Sequence, residues 1–527
     1  MTELGLSQKE HHYSITGSHS ALFMDLPFPA SVLITAKLIL SIVRSLFLAR
    51  ILRDSFKVIA LFLLDISAFY CSFLLAFYTR KILNLYFPDL SPQLSLSFFL
   101  HIWWLPVIFM SFIIYERLYI KKLPFWDETK ELLKAISAST IAILAVITLG
   151  NMAGKISRLT ILFLWFSGLF FFPLFRLYGK KTLHALGLWS EQVIIIGAGS
   201  AGIQTAKGIN ADIHLGYHVI GFLDDNEGIG REVSVDGNVY RVFGKIRHFR
   251  KFVKLLNIST VIIAIPSLSV EKLSELTSNI QKYTKSVLLV PDVKGIALTN
   301  TELYHLFMEQ LFLLKINNNL KSPLNRSVKR SFDLSLSIVL LPFVLPVISL
   351  ISLLIKLDSR GPVFHIEDRF GKNKSIFKCI KFRTMFLHND KLLKEYLRAH
   401  PDLDAEWQKY KKLKGYDPRV TRVGMFLRKT SLDELPQIFN VLTGEMSLVG
   451  SRPYLPREES DMKYHIDTIL LTPPGITGLW QVSGRNKLTF DARLRLDAWY
   501  VLNWSLWLDI VILFKTFRVV LKKEGAY

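Results

Sequence analysis

Leu340-Leu341-Pro342-Phe343-Val344-Leu345-Pro346-Val347 lies in the middle of the apolar run 334–357, and its reading decides how the second half of the chain meets a membrane. The run is long enough to cross a bilayer, for which ~20 apolar residues suffice. Pro342 and Pro346 interrupt it, and a proline inside a helix removes a backbone hydrogen bond and bends the axis. Basic residues flank both ends: Lys321, Arg326, Lys329 and Arg330 before it, and Lys356, Arg360, Arg369, Lys372 and Lys374 after it. Lysine and arginine collect on the cytoplasmic side of membranes, so both flanks belong there. One straight span cannot satisfy that. A re-entrant helix–break–helix, entering one leaflet and returning, does, provided protein covers the irregular backbone.

Upstream, the composition points the same way. Half of the 527 residues are hydrophobic while 20% are charged, so apolar stretches and soluble domains must be segregated along the chain. Four apolar stretches, near 58–79, 95–115, 135–152 and 159–178, each approach the length of a span. Basic residues crowd the segment before the first, the loop between the second and third, and the segment after the fourth, which places both ends of a four-helix bundle in the cytoplasm. Before them, 31–53 alternates apolar groups with Lys37, Arg44, Arg50 and Arg53 and reads as a basic amphipathic helix lying on a membrane surface. No cleavable signal peptide is expected: Met1 to Ser20 is mostly polar, and Asp25, Pro27 and Pro29 break the apolar run after it. The formal charge of +22 suits a surface facing anionic lipid, a phosphorylated substrate or nucleic acid. Cys71 and Cys379 stand far apart, which excludes a disulfide framework, and no Cys/His spacing suggests zinc.

From Gln192 the pattern changes to strand–helix alternation. Val193-Ile194-Ile195-Ile196 reads as a buried parallel strand running into Gly197-Ala198-Gly199-Ser200-Ala201-Gly202, with further strands at Tyr217 to Leu223 and near 259–265 and 286–291. That is a doubly wound, Rossmann-like pattern. Gly197, Gly199 and Gly202 would let a pyrophosphate approach a helix N-terminus, and Asp224 lies near the ribose-binding spacing. A tight strand-to-helix turn without any cofactor accounts for the same glycines.

Beyond the apolar run, 389–414 is a charged helical insert and Trp499 to Val520 an aromatic-rich interfacial helix. Between them lies Thr430-Ser431-Leu432-Asp433-Glu434-Leu435-Pro436, with Arg428 and Lys429 before the acids and Arg452 after. An acidic pair framed by bases suits a site holding a divalent cation and a phosphate together. Ser431-x-x-Glu434 is equally a helix capping box. The Gly/Pro-rich 473–486, carrying Trp480, Gln481, Arg485 and Asn486, reads as a substrate loop.

Lys329-Arg330-x-x-Asp333, Gly361-Pro362-Val363-Phe364, Lys381-Phe382-Arg383, Ser431-Leu432-Asp433-Glu434-Leu435-Pro436-Gln437, Pro474-Gly475-Ile476-Thr477-Gly478 and Gln481-Val482-x-Gly484-Arg485-Asn486 occur in this order. Together they resemble the bacterial polyprenyl-phosphate sugar-1-phosphate transferases. With its upstream bundle and Rossmann-like domain, the chain looks most like the large members, the undecaprenyl-phosphate galactose phosphotransferases. The resemblance implies transfer of a sugar-1-phosphate, galactose-1-phosphate for choice, from a UDP-sugar to undecaprenyl phosphate, releasing UMP, with Mg2+ as cofactor. It implies Asp433 as nucleophile with Glu434 as its partner, both at the metal, and Lys381, Arg383, Arg428, Arg452 and Arg485 on phosphates or uridine. Ser451 stands where the family usually has proline, and Pro473 where it has a basic residue.

The expected architecture is therefore membrane α plus α/β: a tail and interfacial helix (1–56), a four-span bundle (57–182), a Rossmann-like domain (183–320), and an α-rich catalytic domain anchored by a re-entrant helix (321–527). The expected partners are a UDP-sugar, undecaprenyl phosphate, the lipid bilayer of the bacterial inner membrane and a second copy in a homodimer, with no nucleic acid. The rival readings are a membrane-bound nucleotide-sugar dehydratase or oxidoreductase and a non-enzymatic scaffold of polysaccharide assembly. The first would want a Tyr-x-x-x-Lys pair near the glycines, and the one such pair, Tyr410 with Lys414, lies far downstream.

Overall fold

The computed structural model describes residues 50–87, 102–150, 156–256, 258–291, 301–306, 311–316, 318–387, 389–400, 417–485 and 488–522. The chain divides into two units, Met1–Asp292 and Val293–Tyr527.

The first unit opens with helices α1 (Arg50–Tyr86), α2 (Trp104–Tyr115), α3 (Phe125–Leu149) and α4 (Arg158–Ala185). By length and composition α1, α3 and α4 can cross a membrane. The stretch expected to span over 95–115 differs. Its described part is the 12-residue α2, about 18 Å long at 1.5 Å per residue against the ~30 Å of a hydrocarbon core, and 88–101 lie outside the described residues. Most of the expected interfacial helix, 31–49, also lies outside them, and Arg50 already belongs to α1. Aromatic rings fill the bundle: Phe109 packs 5.2 Å from Phe69 and 6.1 Å from Phe172, centroid to centroid. Charges are buried there too. Arg176 grips Asp65 through two bonds of 2.9 and 2.6 Å and reaches Glu128 at 3.1 Å, while Lys180 meets Glu128 at 2.6 Å. Two cations and two carboxylates satisfy one another, the condition under which buried charge is tolerated.

An α/β domain follows in the same unit: β1 (Glu191–Ile196), α5 (Ser200–Ala211), β2 (Tyr217–Leu223), β3 (Glu232–Val235), β4 (Asn238–Gly244), α6 (Phe249–Leu255), β5 (Thr260–Ile263), α7 (Val270–Gln281) and β6 (Ser286–Leu289). The sheet order is β3-β4-β2-β1-β5-β6, parallel throughout except for the β3–β4 hairpin. Val193 to Ile196 are fully buried, as the continuous apolar run requires. Gly197 (φ +102) is pressed against Ala264, and a Cβ on Gly202 would stand 1.9 Å from the Gly197 carbonyl oxygen, whereas Gly199 faces open space. Asp224 does not stand free at the end of β2. Its carboxylate accepts from the Ala198 and Asn226 amides at 2.7 and 2.8 Å, so it holds the glycine turn closed.

The second unit begins with an antiparallel hairpin, β7 (Thr301–Leu306) and β8 (Leu311–Ile316). Then comes α8 (Pro323–Asp358), among the described residues the fourth helix long and apolar enough to cross a membrane. The break expected at Pro342 and Pro346 does not interrupt it: one helix of 36 residues carries both prolines. Its two ends are tied to one body. Near the N-terminus Lys329 donates to Val449 O (2.9 Å) and Asp509 Oδ2 (2.7 Å), Asp333 accepts from the Ser447 hydroxyl (2.7 Å), and Arg330 donates to Val441 O and Leu442 O. Near the C-terminus Ile348, Ile351 and Ile355 pack with Phe382, Leu427 and Ile438, and Asp358 accepts from the Val423 amide at 3.0 Å. Between these ties Ile338, Val339, Phe343 and Leu345 stand exposed.

That body comprises the hairpin β9 (Phe364–Phe370) and β10 (Ile376–Phe382), then α9 (Asn389–Ala399), α10 (Arg422–Thr430), α11 (Gln437–Thr443), β11 (Ser447–Val449), β12 (Gly475–Thr477), α12 (Phe490–Leu502) and α13 (Leu506–Lys522). Of the charged insert expected at 389–414, α9 is described and 401–416 are not. The expected interfacial helix over 499–520 is divided by a turn at Asn503 into the end of α12 and α13, whose Phe514 and Phe517 are exposed.

Removing Lys329 leaves Asp509 buried among Tyr500 and Trp504 with no cation. Lys329→Met should destabilise the second unit by about 3–5 kcal/mol, the cost of breaking a buried pair from one side. Thermal unfolding in detergent checks this; an unchanged Tm would show that the network contributes nothing.

Candidate active site

The acidic pair sits on a corner, not at the start of a helix. Ser431 ends α10 in the left-handed region (φ 58) and makes no side-chain capping bond. The capping-box reading is thereby corrected, because Glu434 does not reach back to Ser431. Its carboxylate meets Lys381 Nζ at 2.8 Å. Leu432 to Glu434 form a single 3-10 turn, which Leu432 and Leu435 anchor on the cluster around Leu427 and Ile438. Apolar groups below thus fix the two acids above them.

The electrostatics follow from burial. The Asp433 carboxyl is pushed up to about 6, first by loss of water and then by the charge of Glu434, with Lys381 and Arg428 pulling against both. Burial opposes the charge of Lys381, yet Glu434 outweighs it and raises the ammonium above its ordinary value. Arg428, on α10, donates from Nε to the Thr384 hydroxyl at 2.9 Å and adds positive potential beside Asp433.

Glu434 and Lys381 open onto a cavity of 210 Å³ whose wall includes Arg369, Gln437, Arg452 and Trp480. Pairing of β11 with β12 builds that wall by bringing the loops after them together. A Cβ on Gly478 would stand 2.3 Å from the Gly450 carbonyl oxygen, which explains the glycines in this stretch. Arg452 lies over the rings of Tyr454 and Trp480 (5.8 and 6.0 Å), and its amide donates to Asp497 at 3.0 Å. Asp497 is fully buried and also accepts from the Tyr454 hydroxyl at 2.8 Å, so it holds the Arg452 loop from beneath.

Of the five basic residues expected here, Lys381 and Arg452 line the cavity with Glu434, and Arg428 flanks Asp433. Arg383 is placed elsewhere: its guanidinium donates to Ser359 and Arg360 and ties down the end of α8. Arg485 is half-buried on a left-handed corner (φ 46) after the Gln481 turn, and Asn486 lies outside the described residues. Gly197, Gly199 and Gly202 belong to the first unit. Two lining residues were not singled out from sequence. Arg369 donates to Pro453 O at 2.9 Å. Gln437, 1% exposed, has an amide nitrogen without a partner. Its position directly after Asp433-Glu434-Leu435-Pro436 is the signal that could have found it.

Among the described residues no group of three or more His, Cys, Asp or Glu could hold a metal. Magnesium, however, commonly takes one or two carboxylates and completes its shell with substrate phosphates and water. Asp433 and Glu434, adjacent and crowding each other's charge, fit that donor set.

Residues 324–523 match the bacterial sugar transferase family, and 114–291 match a CoA-binding domain family. The chain is 38% identical over 420 residues to the undecaprenyl-phosphate galactose phosphotransferase of Salmonella typhimurium, covering 78% of this chain and 84% of that protein. The chain belongs to the bacterial sugar transferase family. The UDP-galactose-lipid carrier transferase of Erwinia amylovora is 36% identical over 417 residues, 78% of this chain and 84% of that one. The undecaprenyl-phosphate glucose phosphotransferase of Komagataeibacter xylinus is 33% identical over 377 residues, 67% of this chain and 64% of its own. The acid corner, the lysine facing it and the whole cavity wall lie inside the transferase match.

If the two acids and Lys381 form one electrostatic unit, single substitutions should move Asp433 in opposite directions. Glu434→Gln should lower its titration point from about 6, and Lys381→Met should raise it. Carbon NMR of labelled aspartate checks this; a point unmoved by both substitutions would dissolve the unit.

Proposed function

We propose that this sugar transferase moves galactose-1-phosphate from UDP-galactose to undecaprenyl phosphate, releasing UMP, at the cytoplasmic face of the bacterial inner membrane, as the first step of a surface polysaccharide. The observation that carries the reading is Asp433, desolvated and held near neutrality (about 6), beside Glu434 and a cavity walled by Lys381, Arg369 and Arg452. Galactose is favoured over glucose by the greater identity and coverage of the two galactose-named relatives.

Asp433 Oδ attacks the sugar-side phosphorus of the diphosphate, forming an acyl–phosphate bond. The bridging P–O bond breaks, and its electron pair leaves with UMP. A phosphate oxygen of the lipid then attacks the same phosphorus, breaks the bond to Asp433 and restores the carboxylate. Lys381, Arg369 and Arg452 lower the cost of charge on the diphosphate, as preorganised cations do in phosphoryl transfer. Gln437 and Trp480 shape the wall that orients the nucleotide. Asp433 and Glu434 would hold magnesium, which when bound neutralises phosphate charge and improves the leaving group.

A re-entrant α8 brings the lipid to this site. Both its ends are tied to the body that carries Asp433, and the exposed apolar side chains lie between the ties. In a Cys71→Ser, Cys379→Ser background, Arg326→Cys and Asn373→Cys should both be shielded from an impermeant thiol reagent in intact cells. Labelling of one alone would make α8 a true span.

Incubation with sugar-labelled UDP-galactose, without lipid, should label the chain and release about one equivalent of UMP. Asp433→Asn should abolish both signals, and full labelling of that variant would overturn the assignment. The rate of labelling should fall about tenfold per pH unit below about 6, as Asp433 takes up its proton. UDP-glucose run in parallel decides the sugar.

A further inference from the structure

Two adjoining cavities lie away from the acid corner, beside the N-terminal part of α8. The first, of 320 Å³, is lined by Lys321, Arg326 and Lys372 among others. The second, of 270 Å³, shares Arg326, Lys372 and Leu471 with it and adds Lys329, Arg330 and Asp333. Lys381, at the acid corner, sits near one end of the β9–β10 ladder, and Lys372 lies just beyond the other. Its pairs run from Phe382 with Phe364 to Ile376 with Phe370, about 20 Å at ~3.3 Å per residue. This is a different place from the catalytic cavity.

The charges there do not balance. Asp333, the carboxylate on the wall, lies 4.0 Å from Lys329 and accepts from the Ser447 hydroxyl and the Leu448 amide. Lys329 is neutralised by Asp509, and Arg330 is spent on the carbonyls of Val441 and Leu442. Lys321, Arg326 and Lys372 remain, and among the described residues their side chains have no ion pair or hydrogen bond. Thr472, 5% exposed on the wall of the second cavity, has a hydroxyl without a partner. Lys372 opens the tight turn of the β9–β10 hairpin, whose central residues Asn373 and Lys374 are left-handed (φ 54 and 62) as such turns require, and the Asn373 amide pins the turn to Leu470 O at 2.7 Å.

We infer that these adjoining cavities form a second anion site, which takes a phosphate ester between Lys321, Arg326 and Lys372. Lys321 and Arg326 are exposed and Lys372 is half-buried, so all three can meet a ligand that enters the cavity they line, and phosphate offers enough acceptor oxygens for all three. Leu320 and Leu471 line both cavities and give the rest of the ester an apolar surface. The chemistry is shared by a phospholipid headgroup and by a soluble sugar or glycerol phosphate. The site is non-catalytic, and it grips the turn of the hairpin that carries Lys381 near its far end.

The test uses the full chain in dodecyl maltoside. Its thermal unfolding is followed during titration with short-chain phosphatidylglycerol, with glycerol 3-phosphate, and with short-chain phosphatidylcholine as the zwitterionic comparison. Phosphatidylglycerol, glycerol 3-phosphate or both should raise Tm. Arg326→Gln/Lys372→Gln should weaken that binding tenfold or more, since each charge-assisted bond is worth about that factor. Lys254→Gln/Lys272→Gln, which removes the same charge from the first unit, should bind as wild type does. A response to phosphatidylglycerol alone identifies a lipid ligand, and a response to both identifies the phosphate as the recognised group. UMP release without added ligand, and the ligand-free Tm, should stay at wild-type level in both variants and so establish that they fold. Should Arg326→Gln/Lys372→Gln fail to fold, Lys321→Gln serves in its place with the same expectation. No Tm response in wild type, or equal weakening in the two double variants, would overturn the site.

Discussion

The bond from Lys329 to Asp509 carries more of this structure than its one turn of helix suggests. Lys329 is 6% exposed, and Asp509 is fully buried. Around them Tyr500 and Trp504 bond Asp509 at 2.7 and 2.9 Å, and Lys329 also donates to Val449 O. A buried charge survives only when paired and hydrogen-bonded, and this pair is both. One cluster thereby fixes α8, β11, α12 and α13 together. β11 in turn sets Gly450 to Pro453, from which Arg452 reaches the cavity. The long apolar helix α8 and the cavity wall that carries Arg452 are positioned by the same ion pair.

The acid corner works by a different compromise. Lys381 and Arg428 pull the Asp433 carboxyl down. Burial and mutual repulsion oppose that and leave Asp433 near 6. A carboxylate fully neutralised by its neighbours would be a poor nucleophile, and one fully desolvated would stay protonated. The pairing of Glu434 with Lys381 at 2.8 Å engages one acid and leaves the other beside Arg428, which is what the proposed roles of the two acids require.

Much of the fold was legible because it rests on periodicity. The four consecutive apolar residues of β1 and the bounds of β2 follow from hydrophobic pattern alone, and three of the four upstream spans show the same direct correspondence. What the sequence could not show depends on tertiary contacts. Ser431 and Glu434 have the spacing of a capping box, but the packing of Leu432 and Leu435 drives Ser431 left-handed and turns Glu434 toward a lysine on another element. Lys381 and Arg383 look equivalent in the motif. β10, however, ends at Phe382, and past that point the chain turns toward the end of α8, where Arg383 finds the carbonyls of Ser359 and Arg360. Arg369 was not placed at the site because nothing local marks a strand arginine as facing a cavity, and for Gln437 the only local signal was its place directly after the acid motif.

The prolines of α8 raise a question that composition alone does not answer. Each lacks the N–H that would bond the carbonyl four residues earlier, so Pro342 frees the carbonyl of Ile338 and Pro346 that of Pro342. The serines nearby do not repair this. Ser349 and Ser352 donate to Leu345 O and Ile348 O, which lie past both freed groups. In hydrocarbon each unsatisfied carbonyl costs several kcal/mol, about 2–7. A helix crossing the full bilayer would carry both near its centre. One that enters a single leaflet holds them closer to headgroups and water, and its ends return to the body that anchors them. The prolines, the basic flanks and the ties at Lys329 and Asp358 therefore favour the same shallow path. On the proposed path the helix would hold a lipid phosphate at the height of the domain that carries Asp433.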